Sequence, residues 1–84
     1  MKLIFSDGAW EEYLYWQKQD KRMIERINNL IRETQREPFS GIGKPEALKH
    51  ALSGYWSRRI TDEHRMVYRV ECNALLIAQL RFHY

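Results

Sequence analysis

The sequence predicts an α+β fold, a small antiparallel β-sheet with an N-terminal two-helix hairpin packed on one face. Three observations carry that expectation. Apolar residues recur at helical spacing between Trp10 and Ile31. Three runs suited to strands follow Gly54, joined by connections short enough for hairpins. Between them, Gly41, Gly43, Pro45, Ser40 and Ser53 break periodic structure from Pro38 to Gly54. Eighty-four residues suit one domain spanning 1–84. A chain this short buries only about 60% of the surface its unfolded form exposes, so its core must be efficient. With 44% hydrophobic and 13% aromatic residues it can build that core without disulfides or a metal.

Taken in order, Lys2 to Phe5 is a short strand, and Ser6 is placed to cap a helix. On that helix Trp10, Tyr13, Leu14 and Gln17 share one face, with Glu11, Glu12 and Lys18 outside it. Asp20 caps a second helix, where Ile24, Ile27, Leu30 and Ile31 form the apolar stripe and charged residues solvate the other side. This helix ends before Pro38. In the long loop that follows, Ala47, Leu48 and Leu52 suggest docking on the core. The strands then run from Tyr55 to Thr61, Met66 to Glu71 and Leu75 to Phe82, so that the chain end is part of a strand.

Alternation along these strands assigns Trp56, Ile60, Met66, Tyr68, Val70, Leu76, Ala78, Leu80 and Phe82 to the inward rows, with Arg58 sharing the parity of the first pair. The opposite rows present Arg59, Arg65, Arg69, Arg81 and His83 to solvent. Charge agrees with that placement. The net +3 arises entirely after residue 48, because residues 1–48 balance eight Lys/Arg against eight Asp/Glu. A polyanion such as nucleic acid should therefore prefer the C-terminal half. One cysteine, Cys72, excludes an internal disulfide, and no Cys/His set has zinc spacing, so neither metal nor cofactor is expected. The N-terminal residues carry no signal-peptide pattern and no apolar run spans a membrane, which sets the expectation of a cytoplasmic protein with no membrane partner.

Several pieces in order and spacing carry a resemblance. They are Met1-Lys2-Leu3-Ile4, Tyr13-Leu14-Tyr15-Trp16-Gln17, Gly43-Lys44-Pro45-Glu46, Leu48-Lys49-His50, Leu52-Ser53-Gly54, Trp56-Ser57-Arg58-Arg59-Ile60-Thr61, Glu63-His64-Arg65 and the terminal His83-Tyr84. Over essentially its whole length the chain resembles the YoeB (Txe) group of bacterial toxins within the RelE-like superfamily. The resemblance implies a RelE-like microbial ribonuclease fold and an endoribonuclease, an mRNA interferase that cleaves messenger RNA in the A site of the 70S ribosome. It also implies a YefM-like antitoxin that silences the enzyme, and it carries catalytic roles to Glu46, Arg65, His83 and Tyr84, with Lys49 nearby. Phe5, Gly8 and Phe82 depart from the family pattern outside that set.

The chemistry such residues can perform follows from their types. Metal-independent RNA cleavage uses the 2′-hydroxyl as a nucleophile already next to the phosphate. A base must help remove its proton, a cation must offset charge growing on the phosphate, and an acid must protonate the departing 5′-oxygen. Glu46 suits the base, Arg65 the phosphate clamp and His83 the acid, since imidazole titrates near pH ~6.5. Tyr84 can orient the phosphate or stack on a base. Lys49, Arg59, Arg69 and Arg81 are candidate phosphate contacts. The expected ends are a 2′,3′-cyclic phosphate and a 5′-hydroxyl.

Other residues receive plainer assignments. His50 and His64 are read as structural, Cys72 as a turn residue, and Trp10, Tyr13, Trp16 and Trp56 as core or partner-facing aromatics. Tyr15 and Trp16 lie partly off the helix stripe, which suits an interface with a second protomer in a homodimer, with the antitoxin or with the ribosome. Two other classes compete with the enzyme: a non-catalytic RNA- or ribosome-binding module, and an inactive protein-interaction domain.

Overall fold

The computed structural model describes residues 1–83, leaving Tyr84 outside the described residues. Strand β1 (Lys2–Phe5) leads through Ser6 into α1 (Asp7–Gln19), which is followed by α2 (Lys21–Arg36). Ser6 is extended, and its Oγ accepts the Ala9 N–H at 3.0 Å while donating to the Ala78 carbonyl at 3.2 Å. The cap that starts α1 therefore also fastens it to the sheet. Asp20 makes the hairpin nearly by itself. Its N–H closes α1 on the Trp16 carbonyl, and its Oδ1 accepts from Arg22 and Met23 to open α2.

Ile27, Leu30, Ile31 and Thr34 are buried on α2, close to the predicted stripe. On α1 the buried residues are Ala9 and Trp16, which corrects the expected face: Trp10 is 45% and Leu14 38% exposed. Ala9 is small enough to let α1 approach the sheet, and the Trp16 indole N–H donates to the Leu80 carbonyl at 2.9 Å. Apolar residues flank this face on both sides, so spacing alone could not select it. Trp10 instead stacks on Tyr13 and meets Phe5 edge-on.

The sheet continues with β2 (Glu46–Ala47), β3 (Trp56–Arg59), β4 (Arg65–Glu71) and β5 (Ala74–Gln79), in the spatial order β1-β5-β4-β3-β2. The meander β3-β4-β5 is antiparallel as expected, but β1 pairs with β5 in parallel, so the sheet is mixed. The two-residue β2 is an addition from the loop, paired antiparallel with β3, and a short 3₁₀ turn (His50–Leu52) follows it.

The face against the helices carries Trp56 and Arg58 from β3, Met66, Tyr68 and Val70 from β4, and Leu75 and Ile77 from β5. This reverses the predicted parity of β5, where Leu76 and Ala78 were expected inside. Leu75-Leu76-Ile77-Ala78 is apolar on both parities, so its orientation comes from pairing, with a register shift at Val67/Tyr68. Arg58 is completely buried on the core face. Its guanidinium donates to the carbonyls of Ile42 (2.9 Å), Ser40 (2.8 Å) and Glu37, and to the Tyr68 hydroxyl, which in turn donates to the Pro38 carbonyl at 2.6 Å. The segment leading to β2 is wrapped around this cation.

The last strand ends at Gln79 rather than Phe82. Leu80 gives its N–H to Glu12 Oε1 at 2.8 Å instead of to a strand, and Phe82 takes a left-handed conformation with φ 63°. The expectation that the tail is a strand is corrected: α1 side chains take both backbone groups of Leu80, and the chain meets β4 again at the Phe82 carbonyl, which accepts the Arg65 N–H. Among the described residues no helix is long and apolar enough to cross a membrane.

Candidate active site

The sheet face away from the helices is built by strand register. Glu46 pairs with Ser57, Ser57 with Val67, and Val67 with Gln79, so four strands contribute to a single cross-sheet row. One step along, Arg59 pairs with Arg65. Side chains two apart on a strand share a face, which sets Glu46, Ser57, Arg59, Arg65, Val67 and Arg69 on one side. Ser57 and Val67 are buried and form the floor, whereas Glu46 and Arg59 are exposed.

Glu46 owes its position to β2, and hence to the Arg58-centred loop before it. The carbonyl of Gly43 accepts the Arg59 N–H at 2.6 Å, which extends that attachment to the end of β3. Gly43 has φ +82°, and a Cβ there would come within 2.8 Å of Leu30 Cδ2, so a side chain would be strained and would force Leu30 to shift. Glu46 and Lys49 line one surface depression of about 330 Å³ together with Ala47, Leu48, His50 and Leu52. The loop thus brings a carboxylate and an ammonium to the same edge.

One step from this row, where β4 begins, Arg65 turns its guanidinium toward the β3–β4 connection. Its Nη1 donates to the carbonyls of Thr61, Asp62 and His64. His83 Nε2 lies 3.1 Å from the same Asp62 carbonyl oxygen. Arg65 and His83 therefore converge on one atom, although they are distant in sequence. The tail reaches that point because Gln79 Nε2 donates to the carbonyls of Arg81, Phe82 and His83 at 2.8, 3.3 and 3.1 Å.

The remaining candidates separate. Arg69 shares the face but is paired with Glu71 and lies over the Tyr55 ring, 5.3 Å from its centroid. Arg81 leaves the predicted face. Its guanidinium sits 3.7 Å from the Tyr15 ring centroid and 4.7 Å from that of Phe82, on the α1 side. The termination of β5 causes this departure, since alternation no longer applies beyond Gln79. The Tyr84 assignment lies outside the described residues. Among the described residues, no group of three or more His, Cys, Asp or Glu is arranged to hold a metal ion.

Three contributors escaped the sequence reading: Gln79 as the clamp on the tail, the Asp62 carbonyl as the meeting point, and His64 as a buried partner of Phe82. The first two act through backbone carbonyls, which leave no signature in residue types. The sequence position of His64 reads only as a structural histidine in a turn, and spacing gives no sign of its bond across to the tail.

Residues 5–84 match the family model described as a YoeB-like toxin of bacterial type II toxin-antitoxin system. Toxin YoeB of Escherichia coli strain K12 is 62% identical over 84 residues, covering all of both chains. The structure of a YoeB/ParE toxin from Agrobacterium tumefaciens superposes with a TM-score of 0.98 at 55% identity, again over the full length of both. A YoeB–YefM complex from Staphylococcus aureus contains a chain that matches all of this one at 46% identity, with 98% of its own length covered and a TM-score of 0.92.

Proposed function

The chain belongs to the YoeB-like toxins of bacterial type II toxin–antitoxin systems, and on that premise we propose that it is a ribosome-dependent endoribonuclease. Its substrate is messenger RNA in the A site of the 70S ribosome, and its action halts translation in the cytoplasm. The observation that supports this reading most strongly is the convergence of Arg65 and His83 at the Asp62 carbonyl, on the end of the face that also holds Glu46.

In the proposed reaction Glu46 draws the proton from the 2′-hydroxyl, whose oxygen attacks the adjacent phosphorus. Arg65 offsets the charge that grows on the phosphate oxygens, for which its planar fork is suited. His83 gives a proton to the departing 5′-oxygen, with Tyr84 orienting the phosphate or a base. The bond from phosphorus to the 5′-oxygen breaks as that to the 2′-oxygen forms, leaving a 2′,3′-cyclic phosphate and a 5′-hydroxyl. No metal or cofactor takes part. Lys49 and Arg59 contact flanking phosphates, with Arg69 and Arg81 as further contacts if RNA displaces their internal partners.

A YefM-like antitoxin is the proposed inhibitor, as the S. aureus relative is found with YefM. Disordered acidic segments that fold on a basic partner suit this role. A second copy is a further proposed partner, since an S. aureus YoeB dimer with 47% identity has the same fold at a TM-score of 0.93.

The test is primer extension on a defined messenger programmed onto ribosomes, with wild type beside His83→Gln, the same RNA without ribosomes, and chemical typing of the ends. Cleavage at A-site codons that yields the cyclic end and is lost in the variant supports the reading. Intact RNA with retained ribosome binding would replace it with a non-catalytic docking module.

A further inference from the structure

His64 is a buried titratable side chain that the proposed reaction does not use, and its surroundings give it a defined task. It is 6% exposed, with its ring edge-on to Trp16 at 4.8 Å between centroids and tilted against Phe82 at 5.4 Å. Its Nδ1 lies 2.7 Å from the Phe82 backbone nitrogen. A backbone N–H can only donate, so Nδ1 must be the unprotonated nitrogen and Nε2 carries the proton. That assignment agrees with Nε2 lying 3.5 Å from Glu63 Oε1.

Phe82 is held from both sides at this point. Its N–H meets His64, and its carbonyl accepts the Arg65 N–H at 3.1 Å. It occupies a left-handed conformation, which is strained for a non-glycine residue and persists only when neighbours over-determine it. The residue after that turn is His83. Without the turn, alternation would send the chain onward as a strand and carry the imidazole away from Asp62.

We propose that His64 is a positioning residue: by accepting the Phe82 N–H at Nδ1 it fixes the turn that delivers His83 to the Arg65–Asp62 corner. This rests on the endoribonuclease reading for its consequence in catalysis, but its geometric content stands apart from it. Two partial mimics of histidine, each lacking the ring, separate this role from mere packing. In His64→Asn the side-chain oxygen can take the place of Nδ1, whereas in His64→Gln the polar end lies toward Glu63 and the Phe82 N–H loses its acceptor.

The experiment compares wild type, His64→Asn, His64→Gln and His64→Ala in single-turnover cleavage on programmed ribosomes and in amide exchange. A misplacement of about 1 Å at a reacting group can cost on the order of 100-fold. The expected result is a loss of that size in the cleavage rate for His64→Gln and His64→Ala, with half-saturation barely moved, and recovery to within about threefold of wild type in His64→Asn. Protection of the Phe82 amide should follow the same order. If His64→Asn is folded but as defective as His64→Ala, or if all three cleave like wild type, the proposal is overturned. One readout needs no variant at all. In wild-type protein the His64 Nδ1 nitrogen resonance should be that of an unprotonated ring nitrogen, coupled across the hydrogen bond to the Phe82 amide, and a protonated Nδ1 overturns the proposal. Should wild type cleave no RNA, the endoribonuclease reading falls, while the exchange and nitrogen data still decide whether His64 fixes the tail.

Discussion

Arg65 and His83 share one hydrogen-bond acceptor: Nη1 of the arginine lies 3.0 Å, and Nε2 of the histidine 3.1 Å, from the carbonyl oxygen of Asp62. A turn carbonyl thus fixes the spacing of the two groups proposed to clamp the phosphate and protonate the leaving oxygen. Replacing His83 by Gln should lower cleavage by about 100- to 10,000-fold, the range for loss of a general acid, while ribosome affinity changes little. Single-turnover rates measured across ribosome concentrations check this, and equal loss of binding and rate would contradict it.

Arg65→Lys keeps the charge but loses the planar fork proposed to face the phosphate, since Nη1 alone is engaged with the Thr61, Asp62 and His64 carbonyls. Cleavage should fall about 100-fold despite the conserved charge, as for removal of a positioned electrostatic donor. Near-normal activity in the lysine variant would mean that a point charge suffices.

Arg58 is the clearest case of a buried polar residue that reaches the site indirectly. Arg58→Met would strand the carbonyls of Glu37, Ser40 and Ile42 and is expected to cost about 3 kcal/mol of stability, as for orphaned buried polar partners. Because those carbonyls belong to the segment that leads into β2, Glu46 should lose its register with Ser57. Denaturation curves and cleavage rates should therefore fall together, in contrast to Glu46→Gln, where exposure of the side chain predicts lost cleavage at unchanged stability.

Burial raises the Tyr68 phenol above its ordinary pKa of 10.0, an effect that its hydrogen bond from Arg58 partly opposes. A group with a raised folded-state pKa contributes stability in full below its unfolded pKa, and that contribution is lost as pH climbs through the folded value. Stability should therefore decline on the alkaline side of pH 10, and Tyr68→Phe should shrink this decline. The same variant should cost about 1–2 kcal/mol at neutral pH, because the Pro38 carbonyl loses its donor. Urea unfolding at neutral and alkaline pH separates the two effects.

Two glycines should respond in opposite directions to alanine. A Cβ at Gly8, in the first turn of α1, meets nothing within 4 Å, so Gly8→Ala should stabilise by about 0.5 kcal/mol through helix propensity and a less flexible unfolded chain. Gly43→Ala should destabilise by more than about 1 kcal/mol, since it adds both a left-handed strain and a contact at 2.8 Å with Leu30. Thermal melting of the pair gives a direct comparison.

The elements whose causes are local can be read directly from the residues. Ser6 and Asp20 place the helix starts by a hydrogen bond to their own neighbours, the stripe from Ile27 to Ile31 names the buried side of α2, and the turn residues deliver the β3-β4-β5 meander. The sequence also places Arg59 and Arg65 on one face, because strand alternation holds where a strand is regular. What the tertiary structure alone decided depends on partners far along the chain. The parity of β5 follows from pairing with β1 and β4, since its residues are apolar on both sides. The short strand β2, and with it the position of Glu46, exists because a buried arginine collects the carbonyls of the loop before it. The tail departs from strand geometry because Glu12, Trp16, His64 and Gln79 hold its backbone in a non-strand course. That course carries Arg81 away from the open face and His83 onto the Asp62 carbonyl. Residue spacing encodes periodicity, whereas these contacts end periodicity, so they became legible only once the distant partners were in place.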